Sequence, residues 1–166
     1  MTAQLGTVAT AKAVALITAP NGINAGVAAL TFPGSGAAGA LTASQVIAQN
    51  VASEVAEKAG PIVYPTVNVY CEKLVNSQLE KFRSFSGTIQ MAMEVRHSQD
   101  RLEGLQETLA TYTDALLRVL DGSRGDWGNG LYFAGAYQAV YGAVKQGGKH
   151  YIQAAKVTFE LGVSIN

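Results

Sequence analysis

The sequence has few charged residues. They make up 14% of its 166 residues, whereas about 25% is usual in soluble proteins. Twelve basic and twelve acidic side chains cancel. Non-specific binding of nucleic acid needs a clustered positive field, so this composition argues against that class of function. A neutral, lightly charged surface also does little to keep molecules apart, which favours association with other subunits.

Several kinds of functional residue are also scarce. Cys71 is the only cysteine, so no disulfide can form within the chain, as is typical of a reducing compartment. No apolar run approaches the length of a membrane span, so we expect no membrane partner. His97 and His150 are far apart, with no cysteine or carboxylate at ligand spacing. We therefore expect no metal, no cofactor and no enzyme activity.

What the sequence does contain is a long amphipathic stretch from Phe85 to Leu120. Apolar and polar residues alternate from Phe85 to His97, which is typical of a half-buried β-strand. Apolar residues then recur every three or four positions, which predicts an amphipathic helix with Ser98 as its N-cap and Gly122 just past its end. The apolar stripe of this helix consists of Leu102, Leu105, Leu109, Tyr112, Leu116 and Val119. We expect Met91, Met93, Leu105, Leu109, Phe159 and Leu161 to be buried.

Weaker patterns predict the elements around this stretch. Residues 42–45 match a capping box, which predicts a first helix that continues to Gly60. Residues 64–70 enter a strand, because valines alternate there after a proline. Residues 132–145 are aromatic and β-branched, and residues 151–165 alternate, so these two segments predict a final pair of strands.

Residues 1–40 differ from the rest, because they are rich in alanine, glycine and threonine and hold a single charge. Residues 14–18 and 27–32 have the pattern of a short hairpin around a Pro-Asn-Gly turn. We interpret residues 1–40 as an extended N-terminal arm that orders against a neighbouring subunit. Residues 41–166 are predicted to be an α+β domain, with a mostly antiparallel sheet of about four strands covered on one face by two helices.

The segment from Gly34 to Gly39 spells GxGxxG, which is the pattern of a dinucleotide-binding loop. The acidic residues about 20 positions later fall within the predicted first helix, and no further βαβ units follow. A flexible linker is therefore the favoured interpretation. A small dinucleotide-binding protein remains the alternative from the enzyme class.

Two groups of residues are candidates for a contact surface. The connection between the first two sheet strands, from Leu74 to Ser84, mixes charges with large apolar side chains, as a loop that orders on a partner does. On the exposed face of the next strand, Glu94 and Arg96 would form a solvated or interfacial pair. The candidate residues are Leu79, Lys81, Phe82, Arg83, Gln90, Glu94 and Arg96.

From Leu41 onward, the order of elements resembles the tail terminator, or tail-completion, family of long-tailed bacteriophages. A predicted helix precedes the aromatic-Pro-x-Val-x-Val-Tyr strand of Tyr64 to Tyr70. A charged loop, an alternating strand from Gly87 to Val95, a helix and a loop follow. The final hairpin ends with the strand from Tyr151 to Ile165. The resemblance covers about three quarters of the chain, and residues 1–40 have no counterpart in it.

The resemblance implies a structural virion protein that forms a ring, commonly of six copies. Such a ring caps the head-proximal end of the tail tube, ends tube polymerisation and joins the tail to the head. Its partners would be other copies of itself, the tail tube protein and a head-completion or neck protein. Viral DNA would pass through the lumen without sequence-specific binding. The protein would be found in the virion tail or neck after assembly in the host cytoplasm. Another neck or head–tail connector ring is the alternative within this class.

Overall fold

A computed structural model describes residues 4–30 and 38–166. The helices in these ranges are α1 (Leu5–Thr18), α2 (Ile23–Ala29), α3 (Ser53–Ala59) and α4 (Leu105–Asp121). The strands are β1 (Val46–Ile47), β2 (Thr66–Asn76), β3 (Phe85–Gln99), β4 (Gly125–Gly128), β5 (Leu131–Tyr141), β6 (Lys145–Gly147) and β7 (His150–Ile165). A short 3-10 helix, Ala43–Gln45, directly precedes β1.

The strands form one curled, mixed sheet in the order β1-β2-β3-β7-β5-β4, and β6 pairs with β7. β1 runs parallel to β2, and the other pairs are antiparallel. The fold is α+β, but the prediction of a mostly antiparallel sheet of about four strands under two helices is wrong. Three of the strands have only two to four residues. Segments this short are too brief to show a period of two in the sequence.

The long strand β3 is the centre of the sheet. It pairs with β7 along its whole length, from Phe85 opposite Ile165 to Gln99 opposite Tyr151. The inner face of the sheet, which is the face that α1 and α4 cover, carries the apolar half of the alternation. The six residues predicted to be buried are each at most 3% exposed, which confirms that prediction.

The helix α4 begins later than the sequence pattern suggested. Ser98 is not its N-cap, because β3 continues through Ser98 as far as Gln99. Gly104 takes the N-cap position with φ 77°, a conformation that glycine adopts readily. Leu102 therefore lies outside the helix and is 58% exposed. The predicted end is confirmed, since Gly122 is the C-cap.

The predicted extended arm is wrong, because residues 5–18 and 23–29 are helical. The buried side chains of α1 recur every fourth residue and belong to the core that the sheet and α4 share. They are Leu5, Ala9, Ala13 and Ile17. A Cβ added at Gly6 would lie 3.3 Å from Cβ of Cys71 in β2. The small residues that suggested an arm instead let the helix lie close against the sheet.

The prediction of a first helix from residue 42 to Gly60 is also wrong for most of that range. The capping box between Thr42 and Gln45 is present, but it begins only the short 3-10 helix, and β1 follows at once. The Gln45 side chain also donates to the Pro65 carbonyl at 2.9 Å, which ties this turn to the start of β2. Helix α3 covers only the last part of the predicted range and has no buried residue. Gly60 follows it as predicted.

Candidate interaction surfaces

The seven candidate contact residues fall into two separate groups. Leu79, Lys81, Phe82 and Arg83 lie in residues 77–84, the connection between β2 and β3 that we call the tip. Gln90, Glu94 and Arg96 lie along the outer face of β3, opposite the face that α1 and α4 cover. A strand rises about 3.3 Å per residue, so Arg96 is roughly 35 Å from the tip. Glu94 and Arg96 are therefore remote from the tip, whereas Gln90 is roughly 20 Å from it.

Backbone hydrogen bonds fix both ends of the tip. The N–H of Ser77 donates to the Ser86 carbonyl at 3.0 Å, and the N–H of Ser84 donates to the Ile165 carbonyl at 3.0 Å. Within the tip, the N–H of Glu80 donates to Oγ of Ser86 at 3.1 Å. The connection is thus tied to β3 and to the end of β7.

Most charged side chains of the tip form hydrogen bonds and ion pairs within the same chain. Nε of Arg83 donates to the Glu80 carboxylate at 3.1 Å, and Nη1 donates to Oδ1 of Asn166 at 2.6 Å. The hydroxyl of Ser164 donates to the same carboxylate at 3.0 Å. These bonds link the tip to the C-terminal residues. Lys81 is exposed, and it forms no ion pair within the described residues.

The large apolar side chains of the tip face solvent. Leu79 is 74% exposed and Phe82 is 100% exposed, so neither folds back onto its own hairpin. Phe82 has φ 66°, which is unusual for a bulky residue. The tip therefore presents an unburied aromatic ring from a backbone with fixed ends.

The middle of the outer face is open and polar. Gln90 is exposed, and its neighbours across the sheet are Lys73 of β2 and Glu160 of β7. Thr158 of β7 and Gln138 of β5 continue the same face. Amide and hydroxyl groups predominate here, flanked by one charge of each sign.

Further along the same face, Glu94 and Arg96 form the predicted pair, but it is not exposed. Nε of Arg96 donates to Oε1 of Glu94 at 2.6 Å, and Arg96 is only 5% exposed. Nη2 of Arg96 donates to the Val51 carbonyl, and the Tyr70 hydroxyl donates to Glu94 at 3.3 Å. A buried charge needs such partners. Arg96 is thus a structural residue within one copy, held beneath the segment that leads to α3.

A cavity of about 430 Å³ lies between this outer face, α3 and the chain that follows it. Its walls are mostly apolar, with Asn68 and Arg96 among the lining residues. Nδ2 of Asn68 donates to the Gln49 carbonyl at 3.0 Å, while its buried Oδ1 has no hydrogen-bond partner. At the rim, burial and the neighbouring Glu57 raise the pKa of Tyr64 to about 12. Tyr64 therefore stays protonated and donates to Glu57 at 3.1 Å.

Reactive groups elsewhere in the described residues are isolated. Burial lowers the pKa of His97, whose Nδ1 is buried without a partner, and its ring lies 6.3 Å from that of Tyr112. Burial raises the pKa of the Cys71 thiol, which disfavours the nucleophilic thiolate. Within residues 4–30 and 38–166, no group of three His, Cys, Asp or Glu side chains could hold a metal ion.

The glycine loop from Gly34 to Gly39 lies mostly outside the described residues, so its predicted role as a linker stays a prediction. The strand that was expected to lead into it is wrong over its first three residues, because Val27 to Ala29 belong to α2. The carbonyl of Gly39 accepts a hydrogen bond from the Tyr112 hydroxyl at 2.8 Å, which ties the end of the loop to α4.

The sequence analysis missed the exposed apolar side chains of β5, which lie on both faces of the sheet. Tyr132 is 56% exposed, Val140 53% and Tyr141 39%. The sequence signal was the absence of any charge from Leu131 to Tyr141. That absence fits a buried strand as well as an exposed one, so the sequence alone could not distinguish them.

Neither a scan against protein-family models nor a search of curated proteins finds a match for this chain. In the part of the chain that the structure describes, no helix is both long and apolar enough to cross a membrane.

Proposed function

We propose that this chain is a structural virion protein of a long-tailed bacteriophage, assembled in the host cytoplasm. Copies of it form a ring, six in the arrangement that the family resemblance implies. The ring caps the head-proximal end of the tail tube, ends its polymerisation and joins the tail to the head. The observation that supports this most is the fully exposed Phe82, carried on a tip whose ends are fixed by hydrogen bonds.

The tip has the properties of a docking element. Burial of a phenylalanine side chain contributes about 1.5–3 kcal/mol, so Phe82 and Leu79 gain free energy only when a partner covers them. Because the ends of the tip are already fixed, binding orders less backbone and costs less entropy. Glu80 and Arg83 neutralise each other. Lys81 is then free to fix the register of a partner through a rim charge.

The outer face of the sheet fits the proposed lumen. Around Gln90 it carries amides and hydroxyls, and the flanking Lys73 and Glu160 cancel in charge. Binding to a DNA backbone depends on clustered basic groups that displace counterions. A neutral polar face lacks that attraction, so DNA could slide past it.

The test is to replace Leu79 and Phe82 together with serine and to purify tails assembled with the variant. We expect overlong tails, or tails not joined to heads, while the variant protein remains folded. The matched control is Leu102→Ser, because Leu102 is 58% exposed outside the tip. It should leave tail length and joining unchanged.

The outcomes separate the candidates within this class. Overlong tails support a terminator in particular, because only a terminator ends tube growth. Tails of normal length that fail to join heads indicate another connector ring at the neck. Tails of normal length that are joined to heads in the double variant would contradict the proposal for the tip.

A further inference from the structure

The strand β5 leaves part of the sheet edge unpaired within the described residues. β4 pairs with β5 only at Leu131, Tyr132 and Phe133. The stretch from Tyr137 to Tyr141 pairs with β7 on one side and with no strand on the other. Five residues is an ordinary length for a strand, so this edge is long enough to accept a partner.

The hydrogen bonds show which backbone groups point outward from this edge. Gly142 lies opposite Ala154, and its N–H donates to the Ala154 carbonyl at 2.8 Å. In an antiparallel pair, alternate residues bond to the partner strand, so Gln138 and Val140 also bond to β7. The N–H and C=O groups of Tyr137, Ala139 and Tyr141 therefore point away from the sheet.

Among the described residues, this edge lacks the features that usually prevent strand pairing. Edge strands are commonly protected by lysines, prolines, bulges or a covering segment. The irregularity in β5 lies between Phe133 and Tyr137, before the free stretch. The free stretch itself, Tyr-Gln-Ala-Val-Tyr, contains no charge and no proline. Val140 is 53% exposed and Tyr141 39%, so apolar area would be buried along with the backbone groups.

We propose that this edge of β5 pairs with the free edge of β2 in a second copy of the chain. β1 pairs only with Val67 and Asn68, so no strand of the described residues covers the outer edge of β2 from Val69 to Asn76. An irregularity between Cys71 and Lys73 divides this edge into two short stretches. The strands β2, β3, β7 and β5 are neighbours in this order, and each neighbouring pair is antiparallel. β5 and β2 therefore run in opposite directions. Copies related by rotation about an axis along the strands would therefore join in the antiparallel manner.

The two edges belong to opposite sides of one sheet, so the contact is head-to-tail. A head-to-tail contact repeats from copy to copy and closes into a ring when the rotation allows it. The inference rests on the proposed self-assembly and adds the interface through which it occurs.

The first test is the molar mass of the full chain by light scattering, with Ala139→Pro and the matched control Ala139→Ser. Proline removes the outward N–H of Ala139 and leaves the bonds of Gln138 and Val140 to β7 intact. We expect Ala139→Pro to dissociate a particle of several times 17.3 kDa into single chains, with a dissociation constant at least tenfold higher. Ala139→Ser should assemble normally.

A second variant keeps the test valid if Ala139→Pro does not fold. Val140→Lys places a charge beside the edge at an exposed position, so it should fold normally and still weaken assembly. In addition, the protection of backbone amides against hydrogen exchange should alternate from residue to residue along this stretch of β5. In the assembled protein the amides of Tyr137, Ala139 and Tyr141 should gain protection, whereas Gln138 and Val140 should be protected in both states.

The outcomes distinguish this interface from the proposed function. A wild-type chain that stays a monomer contradicts both the ring and the edge. An assembled wild type that Ala139→Pro and Val140→Lys leave unchanged overturns the edge alone. A particle of two copies also overturns the pairing with β2, because a head-to-tail contact between these edges continues from copy to copy beyond two.

Discussion

Replacement of Ile17 by alanine tests whether the N-terminal helix belongs to the core. Ile17 is 0% exposed and lies in the last turn of α1, within the same apolar cluster as the sheet and α4. If residues 1–40 were an arm for a neighbouring subunit, the isolated chain would barely respond to this change.

The expected loss follows from the atoms removed. Ile17→Ala deletes three carbons, each contributing about 0.8 kcal/mol on burial. The cavity that remains adds to this loss, and replacement of a buried isoleucine by alanine costs about 2–5 kcal/mol in total. We expect a value near 3 kcal/mol, because the surrounding sheet is continuous and cannot collapse far.

Urea denaturation, at a concentration low enough that light scattering shows single chains, measures this loss. With a slope of about 1–3 kcal/mol per M, the midpoint should fall by roughly 1–3 M while the slope stays unchanged. Thr7→Ala, at an exposed position of the same helix, should change the free energy of unfolding by less than about 0.5 kcal/mol. An equally small effect of Ile17→Ala would refute the packing of α1 on the core.

Two further predictions concern the core and its pH dependence. Leu109→Ala should lower the free energy of unfolding by about 2–5 kcal/mol, because Leu109 is 0% exposed beneath the sheet; a loss below about 0.5 kcal/mol in thermal or urea unfolding would contradict this. Burial lowers the pKa of His97 in the folded state, so the unfolded chain binds this proton more readily. The free energy of unfolding should therefore decrease as the pH falls from about 6.5, the ordinary value, through the lower folded pKa. His97→Gln should remove that part of the decrease in urea titrations, and an unchanged pH profile would contradict the assignment.

The long elements were predictable from the sequence because each repeats its pattern over several periods. β3 and β7 alternate for about seven pairs of residues, and one apolar stripe runs along α4. The short strands β1, β4 and β6 arise instead from the sheet that they join. Their pairing depends on neighbours distant in sequence, which no local pattern records.

The errors near the N-terminus have a different physical cause. In α1 two of the four buried residues are alanine, so its two faces differ little in hydrophobicity and no amphipathic stripe is visible. The capping box at Thr42 was real, but it marks only the start of a helical turn. The pairing of β1 with β2 then stops that turn after three residues.

In the candidate surfaces, too, some features were predictable from local sequence and others depend on residues distant in sequence. Exposure of Leu79 and Phe82 followed from their place in a polar connection between two strands. Burial of Arg96 did not follow, because the segment that covers it comes from about 45 residues earlier in the chain. The open edge of β5 was not predictable for a related reason, since only the topology shows that the pairing of β5 with β4 ends at Phe133.

The proposed surfaces point in directions that one ring can accommodate. The tip, the C-terminal Asn166 and the turn before β5 lie at one end of the strands, as the bonds from Arg83 to Asn166 and from Ser164 to Gly130 show. The free edges of β5 and β2 face sideways, perpendicular to that direction. A ring closed through these edges, with its axis roughly along the strands, would place every copy of Phe82 on the same rim. The exposed aromatic side chains would then form one circular docking surface, which is the arrangement required to cap a tube built from repeated subunits.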